Sequence, residues 1–261
     1  MSVQTKTSRL NLRDIAQLYR SGEKIAMLTA YDFVMASLVD QAGVELILVG
    51  DSLGNVVLGY ETTIPVTLDD MIRHTSAVVR GTERGLVICD LPFGTTTDPE
   101  TALISSIRVF KETGCQAVKL EGGLFAAPVV ARLTEQGIPV VAHIGLTPQA
   151  IHQMGGYYQH GKTEGEAQAL LESALALEKA GAFCIVLECV MPEVTAKITQ
   201  TLKIPTIGIG SGEDCSGQVL VLNDLIGLNT RPAPKFAKPR AQIAQVIREA
   251  VQSYVQDVKR K

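Results

Sequence analysis

The chain has 261 residues, of which 46% are hydrophobic, and a formal net charge of −3 at pH 7. This length and apolar content allow a substantial core, built as one α/β barrel or as two small domains. The small negative charge gives no basis for binding nucleic acid or an anionic membrane surface. The sequence has no run of about 18 apolar residues, so we expect no membrane span.

The N-terminal segment and the cysteines both point to a cytoplasmic protein. Met1–Asn11 lacks the apolar stretch of a secretory signal. The five cysteines are odd in number and form no CxxC pair. We therefore expect reduced, buried thiols and a cytoplasmic location.

Apolar runs of strand length alternate with helical patterns along the whole chain. The predicted helices, with their caps, are Leu12–Tyr19, Phe33–Gln41, Thr67–Arg80, Asp98–Gly114, Ala126–Gln136, Thr163–Gly181, Pro192–Leu202, Gly217–Leu222 and Ala241–Val258. The predicted strands are Lys24–Thr29, Val44–Val49, Leu86–Cys89, Ala117–Leu120, Pro139–Ala142, Phe183–Leu187, Pro205–Ile209 and Leu225–Leu228. Thr163 to Glu166 has the pattern of a capping box, and Gly54–Pro65 and Gly145–Thr163 are predicted as loops.

Eight strand-then-helix units in this length predict an α/β fold of the (β/α)8 TIM-barrel class, with a short N-terminal helix and a C-terminal helix. We expect one barrel domain spanning residues 1–261. A doubly wound sheet is the alternative. Most of the predicted strands end in polar residues. A doubly wound sheet would instead place such residues at the two strands beside its switch point. The glycine cluster Gly208–Gly212 lies at the end of the seventh strand, whereas a dinucleotide site would place it at the first. Both features favour the barrel.

Acidic residues follow three successive predicted strands: Asp51, Asp90 and Glu121. In a barrel the carboxyl ends of successive strands lie side by side, so the three carboxylates would meet at the mouth. Unpaired, they would repel one another and raise each other's pKa. A hard divalent cation removes that cost, and oxygen ligands of this kind predict Mg²⁺. Alternatively, each acid caps the next helix or pairs with a nearby lysine or arginine.

Three more strand-end residues carry groups suited to catalysis. Lys119 lies on the same strand face as Glu121, where it would neutralise a carboxylate substrate or simply balance the acids. His143 would donate to a substrate oxygen or serve as a hydrogen-bonded core histidine. Glu188 follows an apolar strand, and loss of solvent would make it a better proton acceptor; a helix-capping or ion-paired acid is the alternative. A base opposite a metal site fits proton abstraction beside a metal-bound carbonyl.

Six motifs in order closely resemble those of the ketopantoate hydroxymethyltransferase family. The likeness extends from Leu28–Asp32 to Pro234–Phe236, and the motifs are Val49–Gly54, Asp90–Phe93, Val118–Gly123, His143–Gln149, Leu187–Cys189 and Ile207–Gly210. The turn Gly210–Ser211–Gly212 departs from the Gly-Ala-Gly that is more frequent in relatives, which leaves the chemistry in place.

The resemblance implies a (β/α)8 barrel that assembles as a homodecamer and binds Mg²⁺ through Asp51, Asp90 and Glu121. It implies a substrate site with Asp51, Ser52, Asp90, Lys119 and His143, and Glu188 as the catalytic base. The implied reaction transfers a hydroxymethyl group from 5,10-methylenetetrahydrofolate to 3-methyl-2-oxobutanoate. It gives 2-dehydropantoate for pantothenate biosynthesis through a Mg-stabilised enolate.

Two other classes of protein remain as alternatives. A carbon–carbon lyase of the phosphoenolpyruvate mutase and isocitrate lyase type would share the acids, but it would usually have a Lys-Lys-Cys-Gly-like loop segment, which this sequence lacks. A non-catalytic barrel would be favoured by loss of a strand-end group, and all of them are present.

Overall fold

The computed structural model describes residues 9–230 and 232–260. Residues 1–8, on which part of the expectation about Met1–Asn11 rests, lie outside them. The chain divides into two compact units, Met1–Val219 and Leu220–Lys261, and the expectation of a single domain stays a prediction. None of the helices in the described part of the chain has the length and apolar content needed to cross a bilayer.

Within the described residues, eight parallel strands close into a barrel in chain order. The strands are β1 Ile25–Thr29, β2 Leu46–Val49, β3 Leu86–Asp90, β4 Ala117–Glu121, β5 Val140–Gly145, β6 Cys184–Glu188, β7 Thr206–Ile209 and β8 Gly217–Leu220. The α-helices are α1 Leu12–Ser21, α2 Phe33–Gln41, α3 Leu53–Val56, α4 Leu68–Gly81, α5 Pro99–Thr113, α6 Ala127–Glu135, α7 Ile151–Met154, α8 Glu164–Lys179, α9 Pro192–Thr201, α10 Leu222–Leu225 and α11 Ile243–Lys259. The predicted (β/α)8 barrel is confirmed.

The barrel interior is filled by apolar side chains, so it forms a packed core. Leu46, Leu86, Ile88 and Ile207 belong to this cluster and are completely buried. Every position of β3 is buried, because one face turns inward and the other lies under the helices. Each large aliphatic side chain buried in this way contributes about 1.5–3 kcal/mol to folding. The apolar runs in the sequence therefore correspond to the strands that form the barrel wall.

The prediction for the last strand is wrong. Gly217–Leu220, predicted as part of a helix, is β8, and the predicted strand begins where the short helix α10 ends. A Cβ on Gly217 would lie only 2.2 Å from the carbonyl oxygen of Ile25. Glycine therefore lets β8 approach β1 closely enough to close the barrel. Gln218 is exposed to solvent and interrupts the apolar run. The segment therefore lacks the continuous apolar pattern by which the other strands were predicted.

The two predicted loops contain short helices. The first begins with α3, and the second holds a 3₁₀ turn, Pro148–Ala150, followed by α7. The capping box predicted at Thr163 is half formed. Thr163 accepts from the backbone N–H of Glu166, but the Glu166 carboxylate accepts from Gly161 and Lys162 instead of Thr163.

All five cysteines are free thiols, and all but Cys189 are buried. The expected unpaired state is confirmed, and the expected burial is confirmed for every cysteine except Cys189.

Candidate active site

The polar residues predicted at the strand ends meet at the carboxyl end of the barrel. Strand pairing sets Asp90 opposite Lys119 and Glu121 opposite His143, and it sets Gly145 opposite Glu188. Parallel strands in register bring their last residues to one level, so the pairing of the apolar strands fixes the positions of these side chains. The site is therefore built on strands, not on loops.

Lys119 forms the centre of an acidic cluster. Its Nζ lies 2.5 Å from Asp90 Oδ2 and 3.8 Å from Glu121 Oε1, with all three side chains almost fully buried. Burial alone would lower the pKa of Lys119, but the negative charges of Asp90, Glu121 and Asp51 outweigh it and raise the pKa above its ordinary value. The amine is thus held as an ammonium ion.

Asp51 lies next to this pair. Its backbone N–H donates to Asp90 Oδ2 over 3.4 Å, and its own Oδ2 accepts from the side chain of Gln149 over 3.0 Å. Burial, together with the charges of Asp90 and Glu121, raises the pKa of Asp51 to about 8. Burial also raises the pKa of Asp90, against the opposing effect of Lys119. The predicted convergence of Asp51, Asp90 and Glu121 is observed. Burial and mutual repulsion disfavour the ionised forms of Asp51 and Asp90.

His143 links the acidic cluster to Glu188. Its Nδ1 is 3.4 Å from Glu121 Oε1, and its Nε2 is 3.3 Å from Glu188 Oε2. Both are ion-pair distances without the alignment of a hydrogen bond. Burial and the charge of Lys119 lower the pKa of His143, but the two carboxylates outweigh them and raise it to about 9. A protonated imidazole therefore separates Glu121 from Glu188.

The backbone around Glu188 is held from two sides. The carbonyl oxygen of Glu188 accepts from the N–H of Leu146 over 2.8 Å. Gly145, at φ +93°, packs so closely that a Cβ there would lie 2.3 Å from that oxygen. The next residue, Cys189, has φ +49°, which is uncommon for a non-glycine residue. Glu188 thus lies at the start of a tight, constrained turn.

Ser211 bridges the two ends of this turn. Its hydroxyl donates to the carbonyl of Leu187 over 2.7 Å and accepts from the N–H of Val190 over 3.0 Å. Sequence reasoning noted Ser211 only as a departure from relatives. Its contact with the turn could not be found from spacing, because it joins β6 to the segment after β7.

Two further residues near the site were given no role in the sequence analysis. The hydroxyl of Tyr31 lies 2.8 Å from Ser52 Oγ and links the end of β1 to the turn after β2. Gln149 contacts Asp51 through its side chain, and its backbone N–H donates to Glu121 Oε2 over 3.0 Å. The position of Tyr31 after the first predicted strand could have identified it. Gln149 is the last residue of the motif His143–Gln149.

The carboxylates suit a divalent cation, though not equally. Among the described residues, no three His, Cys, Asp or Glu side chains form a ready metal cage. Asp90 Oδ1 is nevertheless buried without a hydrogen-bond partner, which fits an oxygen that faces a cation. Both oxygens of Glu121 already face donors, from Gln149 on one side and from Lys119 and His143 on the other. The donor set thus fits a hard cation on Asp51 and Asp90, with Glu121 less available.

Two curated relatives align with almost the whole chain. A 3-methyl-2-oxobutanoate hydroxymethyltransferase of Chloroflexus aurantiacus (strain ATCC 29366 / DSM 635 / J-10-fl) is 56% identical over 251 residues, which cover 96% of this chain and 89% of the relative. The enzyme of the same name from Syntrophus aciditrophicus (strain SB) is 51% identical over 260 residues, or 99% of this chain and 96% of the relative.

Solved structures with low sequence identity share the fold. A phosphoenolpyruvate phosphomutase from Streptomyces platensis subsp. rosaceus aligns with a TM-score of 0.66 at 15% identity, over 95% of this chain and 88% of that one. A phosphonopyruvate hydrolase in complex with oxalate and Mg²⁺ aligns with a TM-score of 0.63 at 12% identity, over 96% and 88%. At such identities the likeness extends to the barrel alone.

The family model described as ketopantoate hydroxymethyltransferase matches residues 9–261. This match and the identities above confirm the resemblance seen in the sequence motifs. They also decide against the phosphoenolpyruvate mutase type, whose likeness is limited to the fold. The chain belongs to the ketopantoate hydroxymethyltransferase family.

Proposed function

We propose that the chain is an enzyme that transfers a hydroxymethyl group from 5,10-methylenetetrahydrofolate to 3-methyl-2-oxobutanoate, giving 2-dehydropantoate for pantothenate biosynthesis in the cytoplasm. The observation that carries the proposal is the identity of more than half of the residues with a relative named for this activity, over almost the whole chain. The strand-end groups support it, because they offer carboxylate oxygens to a cation and a further carboxylate that can accept a proton.

Mg²⁺ is the proposed metal, held by Asp51 and Asp90 with Glu121 beside them. When all are ionised, the four carboxylates of Asp51, Asp90, Glu121 and Glu188, with the cations Lys119 and His143, leave two negative charges, which a divalent cation cancels. When bound, the metal would supply a Lewis acid that polarises the keto and carboxylate oxygens of a 2-oxo acid.

Lys119 supplies a fixed positive charge in the substrate site. It is buried, and its ammonium lies against Asp90, so its charge is directed toward the cluster and not screened by solvent. We propose that it offsets the negative charge of the substrate carboxylate as that group enters. Ser52, whose hydroxyl lies 2.8 Å from that of Tyr31, would donate to a substrate oxygen.

Glu188 is the proposed base. Its carboxylate retains some contact with solvent, with 15% of the side chain exposed, whereas the other acids of the site are almost fully buried. It is therefore the acid within reach of an incoming substrate. His143 lies against its Oε2 and orients the carboxylate, which we propose as the contribution of His143 to the substrate site.

The proton transfer follows from this arrangement. Glu188 takes the proton from C3 of 3-methyl-2-oxobutanoate, and the electron pair of that C–H bond passes into the enolate. Water adds to the methylene carbon of the folate, both C–N bonds of that carbon break, and tetrahydrofolate leaves together with formaldehyde. C3 of the enolate then bonds to the formaldehyde carbon, and the resulting alkoxide takes back the proton from Glu188. In the net reaction one water supplies the hydroxyl oxygen. Because C3 becomes quaternary, the site must accept two methyl groups.

We also propose that the chain forms a homo-oligomer, with the decamer of the family as its size. Several large apolar side chains on α2 are more than half exposed: Phe33, Val34 and Leu38. Helix α11 likewise leaves apolar residues open, including Val246, Val251 and Tyr254. Apolar surface of this extent on an isolated chain supports burial against further copies.

The test is an assay of the purified chain for 2-dehydropantoate, with 3-methyl-2-oxobutanoate and methylenetetrahydrofolate as substrates. Treatment with EDTA should abolish product formation, and added Mg²⁺ should restore it. Glu61→Gln, which changes an acid in the loop after α3, serves as a variant control. Absence of product with both substrates and Mg²⁺ present would contradict the proposed reaction, and full turnover of metal-stripped protein would contradict the metal.

A further inference from the structure

Gln149 connects two of the acidic side chains of the site. It lies in the 3₁₀ turn after β5 and is buried. Its side-chain Nε2 donates to Asp51 Oδ2 and to the carbonyl oxygen of Leu91, each over 3.0 Å. Its backbone N–H donates to Glu121 Oε2 over the same distance. A single residue therefore fixes one oxygen on each of two carboxylates, one just after β2 and the other at the end of β4.

The orientation of the Gln149 amide is determined by its partners. The carbonyl of Leu91 and the carboxylate of Asp51 are both acceptors, so only the NH₂ group can face them. Both amide hydrogens are then used, and a rotated amide would set its oxygen against two other oxygens. Since Leu91 directly follows Asp90, the amide is anchored to the same strand end that carries the second proposed metal ligand.

A neutral donor has a specific advantage at this position. A lysine would hold Asp51 equally well, but its charge would compete with a cation. A glutamate would add a further negative charge to a cluster that already holds the three carboxylates of Asp51, Asp90 and Glu121. Glutamine restrains the carboxylate without neutralising it.

We propose that Gln149 is a positioning residue for the divalent cation: it fixes Asp51 Oδ2 so that the other oxygen of Asp51 can face the metal. The inference rests on the metal site proposed above. Partners that orient metal ligands typically affect metal affinity by about 10–100-fold when they are removed.

The test measures Mg²⁺ binding to the full chain by isothermal titration calorimetry, without substrates. Gln149→Met keeps the length of the side chain and the backbone bond to Glu121, but it removes both side-chain donors. We expect its Kd for Mg²⁺ to rise by about 10–100-fold. Gln116→Met is the matched control. Gln116 also bonds to backbone groups, but it precedes β4 at the opposite end of the strand, and its replacement should leave the Kd unchanged.

The outcomes separate this inference from the metal site itself. If the wild-type chain binds no Mg²⁺, the proposed metal site fails. If the wild type binds and Gln149→Met binds equally well, the role of Gln149 alone is refuted. A lower melting temperature with an unchanged Kd would likewise refute it, since it would mark a structural contact only.

A second variant covers failure of Gln149→Met to fold. Gln149→Glu keeps the shape of the side chain and replaces the donor to Asp51 by an acceptor. With Mn²⁺ as a paramagnetic probe, its electron paramagnetic resonance spectrum should differ from that of the wild type. An identical spectrum would overturn the inference.

Discussion

Lys119→Met should strongly destabilise the metal-free protein, because it removes the only counter-charge in contact with Asp90 among the described residues. The two side chains are 5% and 1% exposed, and their charged atoms are 2.5 Å apart. Methionine fills most of the space of lysine, so the main change is the loss of charge. Breaking one partner of such a buried pair typically costs about 3–5 kcal/mol.

Protonation of Asp90 sets a limit on this loss. Bringing a carboxyl group with an ordinary pKa of about 3.9 to its neutral form at pH 7 costs about 4 kcal/mol. The variant can always relieve its unpaired charge in this way, so we expect a loss of about 3–4 kcal/mol. For a chain of this size that corresponds to a fall in melting temperature of roughly 6–16 °C.

Chemical and thermal unfolding of EDTA-treated protein measure this loss. Burial raises the pKa of Asp90 in the folded state, and removal of Lys119 raises it further. The deficit is therefore present above the folded-state pKa and shrinks as the pH falls toward the ordinary carboxyl value. The double variant Asp90→Asn/Lys119→Met should recover most of the stability, because Asp90, the acid in direct contact with Lys119, no longer carries an unpaired charge. A single variant as stable as the wild type at pH 7 would refute the reasoning.

Three other predictions follow from the turn around Glu188 and from the exposed helix faces. Gly145→Ala should lower kcat by about tenfold or more, because strain of about 1–3 kcal/mol at a positive φ would displace the Glu188 carbonyl; unchanged steady-state kinetics would contradict this. Ser211→Ala should reduce the free energy of unfolding by about 1–3 kcal/mol, because the N–H of Val190 loses its partner; denaturant unfolding with an unaltered midpoint would count against it. Sedimentation at micromolar protein should show a large homo-oligomer, and a monomer alone would disprove the proposed assembly.

The barrel and the acidic cluster were predictable because both follow from local sequence. A strand buried on both faces must be apolar along its length, and the first polar residue after it lies at the barrel mouth. This rule located Asp51, Asp90 and Glu121, and strand alternation placed Lys119 beside Glu121. The rule did not identify the eighth strand, because Gln218 faces solvent and β8 is only four residues long.

The contacts that orient the site were not predictable in the same way. Gln149 and Ser211 act across loops, and no local pattern determines where a loop returns to the barrel. His143 illustrates the limit within a strand: the sequence could not decide between a substrate donor and a core histidine. The structure shows it between two carboxylates, with burial and both charges acting on its pKa.

Exchange of the C3 proton of 3-methyl-2-oxobutanoate into D₂O tests the central claim most directly, since it isolates proton abstraction from condensation with folate. With Mg²⁺ and without folate, the wild-type chain should catalyse the exchange, as followed by proton NMR. Glu188→Gln keeps the volume of the side chain but cannot accept the proton, so it should exchange about 100–10,000-fold more slowly with little change in melting temperature. Exchange by the variant at the wild-type rate would show that Glu188 is not the base.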